Sequence, residues 1–441
     1  MAARAFMGGG LLFVLSSITA GAESLTEAVA RAMDYFPEMR AAASRQAAAE
    51  AQVGQARAEF LPALNVSMGE GRETSKNPST RFLPNDPTLT RQERDVTISQ
   101  LVFDGGAAGG QIDRFRARLE GAGYSVSSNA ENIASRAAQA YTEVVRLREQ
   151  LAVARENVTT HQKTLSDVTL LADAGRGRRA DVVQAEARLA LAASTVEQLS
   201  GQLQQAEATY RYYVGRPPGE LASPPTLQQA LPPQIGAALD AALAAHPAVL
   251  AAQKDFEAAQ YDRDTVRARR NSPRVAIEAG ASRNRDIDGV QGPNHDRYAM
   301  LRLRYNLFRG FGDSERLLEA EARVNEALAD LTRVRNEVGR DIRQAWETLI
   351  ADRMRLPQLA RYADASANVA EAYRLQFQLG QRSLLDVLNA ENESFGARGS
   401  LIAGRAAVAA GEIRVLATLG RLLAALGIAL PDYRAAMEAA R

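Results

Sequence analysis

The chain repeats itself, and in register. Leu101-Val102-Phe103-Asp104-Gly105 returns as Asn306-Leu307-Phe308-Arg309-Gly310, Ala180-Asp181-Val182-Val183 as Leu385-Asp386-Val387-Leu388, and Val214-Gly215-Arg216 as Leu419-Gly420-Arg421, each 205 residues later. Asp34-Tyr35-Phe36-Pro37 finds Ala244-Ala245-His246-Pro247 210 residues on, and Phe60-Leu61-Pro62 finds Asn271-Ser272-Pro273 211 on. Ordered matches at nearly one offset mean two copies of a unit of about 200 residues, so whatever this chain folds into is built twice.

Each copy has one internal order. A short helix ends at Pro37 or Pro247, and a second, over about 38–60 or 248–270, is stopped by Pro62 or Pro273, since proline cannot continue a helix. Period-two alternation follows: Leu64, Val66, Met68 and Val96, Ile98 in the first copy, Val275, Ile277, Ala279 and Leu301, Leu303, Tyr305, Leu307 in the second. It predicts strands over about 63–76, 92–103, 274–286 and 295–308, joined by loops at about 77–91 and 287–294. After a glycine turn the period becomes seven. Gly123, Ala130, Ala137, Val144, Leu151, Val158, Leu165 and Ala172 form one column, and Val126, Ile133, Ala140, Leu147, Ala154, His161 and Val168 another. This is a coiled-coil seam on a helix of about 100 Å. The pattern predicts helical hairpins over about 107–214 and 311–426, turning at Gly175-Arg176-Gly177-Arg178-Arg179 and at Gly380-Gln381-Arg382-Ser383. Pro357 falls inside the second long helix, where it costs a few kcal/mol or forces a kink. The expected organisation is a leader over 1–22, a first repeat over 23–235 and a second over 236–441.

The leader follows from Arg4, the apolar run from Phe6 to Ile18 and the small-x-small end Ala20-Gly21-Ala22. No later stretch reaches 18 apolar residues, so no spanning helix is expected beyond the leader. Chemistry-bearing patterns are scarce. There is no Cys and there are three scattered His, which excludes disulfides and thiolate metal sites. Asp286-Ile287-Asp288-Gly289 lacks the remaining ligands of a calcium loop and reads as a turn. Fifty-three basic against 52 acidic residues, net +1, give no case for nucleic acid. An enzyme, a cofactor and a bound metal are not expected.

Four strands with one apolar face cannot close a barrel, and an open edge is a liability. Three copies would pool 12 strands, an even number within the range of outer-membrane barrels, with apolar residues to lipid and polar ones to a lumen. The alternative, a periplasmic coiled-coil scaffold without a pore, has no use for a lipid-facing sheet.

The whole chain after the leader resembles the TolC family of outer-membrane channel tunnels. The resemblance rests on the duplicated order, on Gln100-Leu101-Val102-Phe103-Asp104-Gly105-Gly106 and above all on Leu379-Gly380-Gln381-Arg382-Ser383-Leu384-Leu385-Asp386-Val387-Leu388-Asn389-Ala390. It implies a mixed α and β fold: a homotrimer sharing a 12-stranded outer-membrane β-barrel, four strands per protomer, above a long periplasmic α-helical barrel. It implies a passive duct serving an inner-membrane pump through a periplasmic adaptor, or membrane fusion, protein. The chain looks closer to the type I branch, in which an ABC transporter drives protein secretion, than to the lipoprotein drug-efflux branch with its proton-driven transporter; the lack of Cys points the same way. Cargo would then be an exported protein, or a drug in the efflux alternative.

Site residues carry over by position. The resemblance makes Asp386 an inward constriction ring at the periplasmic aperture, with Asn389 where a second Asp is usual. It makes Asp181, Arg382 and Phe377 the ties between hairpins, although Phe377 lacks the usual hydroxyl and Ala180 the usual partner for Arg382, so that Asp181 and Arg382 are expected to pair instead. Gly175, Arg176, Arg178, Arg179, Gly380, Gln381 and Ser383 would form the adaptor-docking tips. Read from the residues alone, Asp181 and Asp386 also suit helix caps and the arginines a solvated loop.

Overall fold

A computed structural model describes residues 22–82 and 85–430; apart from Ala22, the expected leader lies outside them, as do residues 431–441. Both copies lay down the same series. The first comprises α1 (Leu25–Tyr35), α2 (Pro37–Ala58), β1 (Ala63–Thr74), β2 (Thr88–Phe103), α3 (Ala107–Asp173) and α4 (Arg179–Val214). The second comprises α5 (Ile235–Ala245), α6 (Pro247–Asn271), β3 (Arg274–Ile287), β4 (Val290–Arg304), α7 (Gly312–Gln378) and α8 (Leu384–Thr418), with a last turn α9 (Leu422–Ala425). Pro37 and Pro247 occupy the first position of α2 and α6, where a missing N–H leaves no bond unmade. α3 and α7 have 67 residues each, about 100 Å of helix.

The seam on α3 is the packed one. Val126, Ile133, Ala140, Leu147, Ala154, His161 and Val168 are all buried. The companion column is buried from Ala130 to Leu151, then half-exposed at Val158, Leu165 and Ala172, while Thr164 moves inside. A straight helix drifts about 20° per heptad against a strict seven-residue repeat, which accounts for the change of column. α7 runs unbroken through Pro357; the ring removes only the bond that the Arg353 carbonyl would otherwise accept.

The four strands form one antiparallel sheet in the order β1-β2-β3-β4. Leu64, Ile98, Ala279 and Ala299 lie side by side on one face, and Ser99, Glu278 and Met300 on the other. β1 ends at Thr74, β2 starts at Thr88 inside the expected loop and β3 ends at Ile287, and both limits of β4 differ from the pattern. β4 starts at Val290, because Asp288 (φ 53°) and Gly289 (φ 75°) alone make the turn from β3, the two positive φ angles of a type I′ hairpin. It ends at Arg304, opposite Arg274; beyond, Pro273 offers no N–H and the alternation at Tyr305 and Leu307 has no ladder to join.

The helices make two further four-element layers. Near the sheet, α3 packs against α2 and α6, and α6 against α7, giving the order α2-α3-α6-α7. Towards the hairpin ends α3 packs against α4 and α8, and α8 against α7, giving α4-α3-α8-α7. Between these layers lie the main apolar cores. α1 docks Leu25, Val29 and Met33 against Ile133, Tyr141, Val144 and Tyr210, and α5 docks Leu239 and Ala242 against Ile342, Leu349 and Val415. Burying side chains of this size contributes about 1.5–3 kcal/mol each. The protomer thus has three four-membered layers, each with two open edges.

Candidate functional site

Both hairpin tips use one backbone device. α3 is followed by Gly175 at φ 73° and α7 by Gly380 at φ 74°. The two glycine N–H groups donate to the carbonyls of Ala172 and Phe377, and the next N–H groups, of Arg176 and Gln381, reach back to Leu171 and Gln376. These paired bonds close the last helical carbonyls, and the left-handed backbone suits glycine.

The return helices start differently. Ser383 Oγ accepts from the Asp386 N–H (3.2 Å) and donates to Asp386 Oδ2 (2.9 Å), so Asp386 completes the cap of α8. The matching residue 205 positions earlier is Arg178, which gives α4 no side-chain cap. The Asp181 N–H bonds the Arg178 carbonyl at 3.0 Å, and among the described residues nothing bonds its carboxylate. The cap reading therefore holds for Asp386 and not for the Asp181 side chain.

The expected Asp181–Arg382 pair is not made. Arg382 turns to its own hairpin: Nε donates to Gln376 Oε1 (2.9 Å), the guanidinium lies 4.1 Å from the Tyr373 ring centroid, and Nη1 is 3.8 Å from Asp386 Oδ2. Arg382 stands in the tip turn only four residues before Asp386, so this contact costs less ordering than one across hairpins. Asn389 Oδ1 instead accepts from Arg188 Nη2 (3.3 Å), linking α8 to α4. Phe377 joins an apolar knot with Val168, Val182, Leu384 and Leu388, drawn from all four long helices. Where the resemblance would place a hydroxyl, the hairpins meet through hydrocarbon. Gly175, Arg176, Arg178, Arg179, Gly380, Gln381 and Ser383 are all exposed, and among the described residues no carboxylate pairs with Arg176, Arg178 or Arg179.

Behind the knot lies a buried polar node that sequence reasoning placed only in part, as a polar His161 on the seam. His161 Nδ1 stands 3.7 Å from Glu391 Oε2, the two residues are 3% and 4% exposed, and neither atom has a hydrogen bond. Arg374 approaches the other oxygen, Oε1, at 3.3 Å. Burial holds the imidazole below its ordinary 6.5, and nearby Arg188 adds to the effect. Burial also holds the Glu391 carboxyl above 4.5, with Arg374 and Thr164 pulling the other way. The node ties α3, α7 and α8 at the depth where the hairpins must part if the tips are to separate. The signal in the sequence was an imidazole in an otherwise apolar column; nothing marked Glu391 as its partner.

A duplicated protomer with a one-sided apolar sheet, two long helices and paired hairpin tips defines a TolC-like outer-membrane channel. The chain belongs to the outer membrane efflux protein family, whose profile matches residues 29–216 and again 238–421, once per repeat. It is a protein of the outer membrane that extends into the periplasm. It is 24% identical to the outer membrane efflux protein BepC of Brucella suis, over 88% of this chain and 83% of that protein. It is 22% identical to the alkaline protease secretion protein AprF of Pseudomonas aeruginosa, over 84% and 79%. Among solved structures, the CmeC outer membrane channel of Campylobacter jejuni superposes with a TM-score of 0.82 at 14% identity, covering 95% of this chain and 89% of that one.

Proposed function

We propose that three copies of this chain close into one channel, which serves as the passive exit duct of a type I, ABC-transporter-driven protein secretion system. The observation that carries the assembly is the set of open edges. β1 and β4, α2 and α7, and α4 and α7 end their layers unpartnered. The outer faces of α4 and α7 carry exposed apolar residues: Val183 and Leu191 on one, Met354 and Leu375 on the other, each more than half exposed. Joining α4 of one protomer to α7 of the next buries these faces, and with α2 joined to α7 and β1 to β4 each layer is completed as a ring of twelve. Three Asp386 carboxylates then stand around the axis at the periplasmic end, with Asn389 behind them. The unpaired Arg176, Arg178 and Arg179, beside Gln381 and Ser383, offer the exposed tip surface that a periplasmic adaptor would grip. No bond of the cargo is made or broken; the pump supplies the energy.

The protein-secretion branch is supported by AprF and by the proteases secretion protein PrtF of Dickeya chrysanthemi. A small-molecule efflux duct is the second reading, supported by BepC and by the pyoverdine export outer membrane protein OpmQ of Pseudomonas aeruginosa. Deletion of the gene in its host separates them. The secretion reading predicts that specific proteins vanish from the culture supernatant and return on complementation, with unchanged drug susceptibility. Unchanged supernatant protein with increased drug susceptibility would overturn it in favour of efflux.

A further inference from the structure

Where the sheet meets the helices, a cleft of about 720 Å³ opens on the polar face of the sheet. Its walls hold six arginines, Arg269, Arg270, Arg274, Arg304, Arg309 and Arg316, against four carboxylates, Glu59, Asp104, Glu278 and Asp313. The carboxylates are mostly engaged. Glu278 is held between Arg302 and Arg304, and Asp313 between Arg309 (3.8 Å) and Arg316 (3.2 Å). Asp104 accepts the N–H groups of Gly106 (3.1 Å) and Ala108 (2.8 Å) at the start of α3. Among the described residues, Arg269, Arg270 and Arg274 have no carboxylate in ion-pair range, and all three are exposed. Arg269 and Arg270 fall in the last turn of α6, where cations complement the helix dipole. That explanation does not reach Arg274, which opens β3 on the face of Ala276 and Glu278.

Placement decides what the surplus charge is for. α6 and β3 lie inside their layers, flanked on both sides within the protomer, so these guanidinium groups are not waiting for a neighbouring subunit at an open edge. They stand on the polar face, which is the lumen in the channel proposed above, and the inference rests on that reading. Three copies bring nine unpaired guanidinium groups to one collar. Guanidinium forks bind carboxylate and phosphate oxygens in bidentate fashion, and a narrow, water-filled collar concentrates their field. The free guanidinium groups sit at the end of α6 and the start of β3, and in the trimer they recur in three copies around the collar instead of converging on one point, an arrangement suited to an extended chain of negative groups more than to a single small anion.

We infer that the junction of barrel and helices is an anion-binding throat, built around Arg269, Arg270 and Arg274, that engages carboxylate-rich polypeptide segments in transit. The test uses the full-length trimer in a planar bilayer, with poly-glutamate added on the barrel side. Poly-glutamate should block the current far more strongly than polylysine of equal length. The combined Arg269→Ser, Arg270→Ser and Arg274→Ser variant should need at least about tenfold more poly-glutamate for the same block, while the three Arg→Lys substitutions keep most of it. Equal block by the two polymers, or a block unchanged in the serine variant, overturns the throat while leaving the channel standing. A trimer that conducts no current overturns the channel reading and the throat with it.

Discussion

The two hairpin tips began as one sequence and now have different surroundings. Glu391 in α8 and Glu186 in α4 occupy the same repeat position, yet Glu391 is buried and Glu186 exposed. Leu388 is fully buried and its counterpart Val183 is 57% exposed. The cause is the order α4-α3-α8-α7: α8 has a helix on each side, whereas α4 ends the layer. Position in a repeat sets the backbone, as the twin glycine turns show. Position in the layer sets which side chains hold the protomer together and which are left for a neighbour.

Substitutions at paired positions test that contrast. Leu388→Ala should cost about 3 kcal/mol of local stability by emptying the knot, read as faster hydrogen exchange over residues 384–395. Val183→Ala should leave exchange in an isolated protomer almost unchanged. Arg374→Ala removes the cation facing buried Glu391 and should cost about 2 kcal/mol in the same exchange measurement; Thr169→Ala, at the matching repeat position on α3, should cost under about 0.5 kcal/mol.

The node also makes the packing of α8 against α3 and α7 sensitive to pH. The parted hairpins, with an imidazole near 6.5, take up a proton that the packed state resists. His161 therefore supports packing fully above about pH 6.5 and less as the pH falls toward its depressed value. Glu391, raised above 4.5, acts in the opposite sense: its contribution is full below 4.5 and is lost as the pH rises through the raised value. On acidification from about pH 7.5 to 5.5, exchange over the start of α8, corrected for intrinsic rates, should shift toward faster exchange in the parent relative to His161→Gln, where only the opposing Glu391 of the pair titrates. Changes at the caps have smaller effects than emptying the knot. Ser383→Ala should weaken α8 by about 1 kcal/mol, and Arg178→Ser should strengthen α4 by about 0.5 kcal/mol, measured by exchange at the first turns.

Much of the architecture could be read from the chain. The 205-residue offset, the prolines and the change from period two to period seven placed both repeats, all four strands and both long helices. These are local signals, each with a local cause. Glu391 and Glu186 are chemically identical at equivalent positions, so no local pattern can tell which is buried; that depends on which helices flank α4 and α8. Arg382 was expected to pair with Asp181 because Phe377 and Ala180 lack the hydroxyls that the resemblance assigns as their partners, but Tyr373, Gln376 and Asp386 are nearer along its own hairpin. The start of β4 was missed because Gly292, Pro293 and Asn294 look like loop, and an edge strand tolerates a proline that a central one would not.

In the channel proposed above, the open edges of the protomer close on copies of itself. The mass of the protein extracted from outer membranes in detergent, measured by light scattering with the detergent contribution subtracted, tests it most directly. A closed channel requires a mass of three chains, lost to smaller species when Val183 and Leu191 are both changed to Glu. A stable monomer or dimer of the parent chain would leave the sheet and helix edges unpartnered, and would contradict the channel.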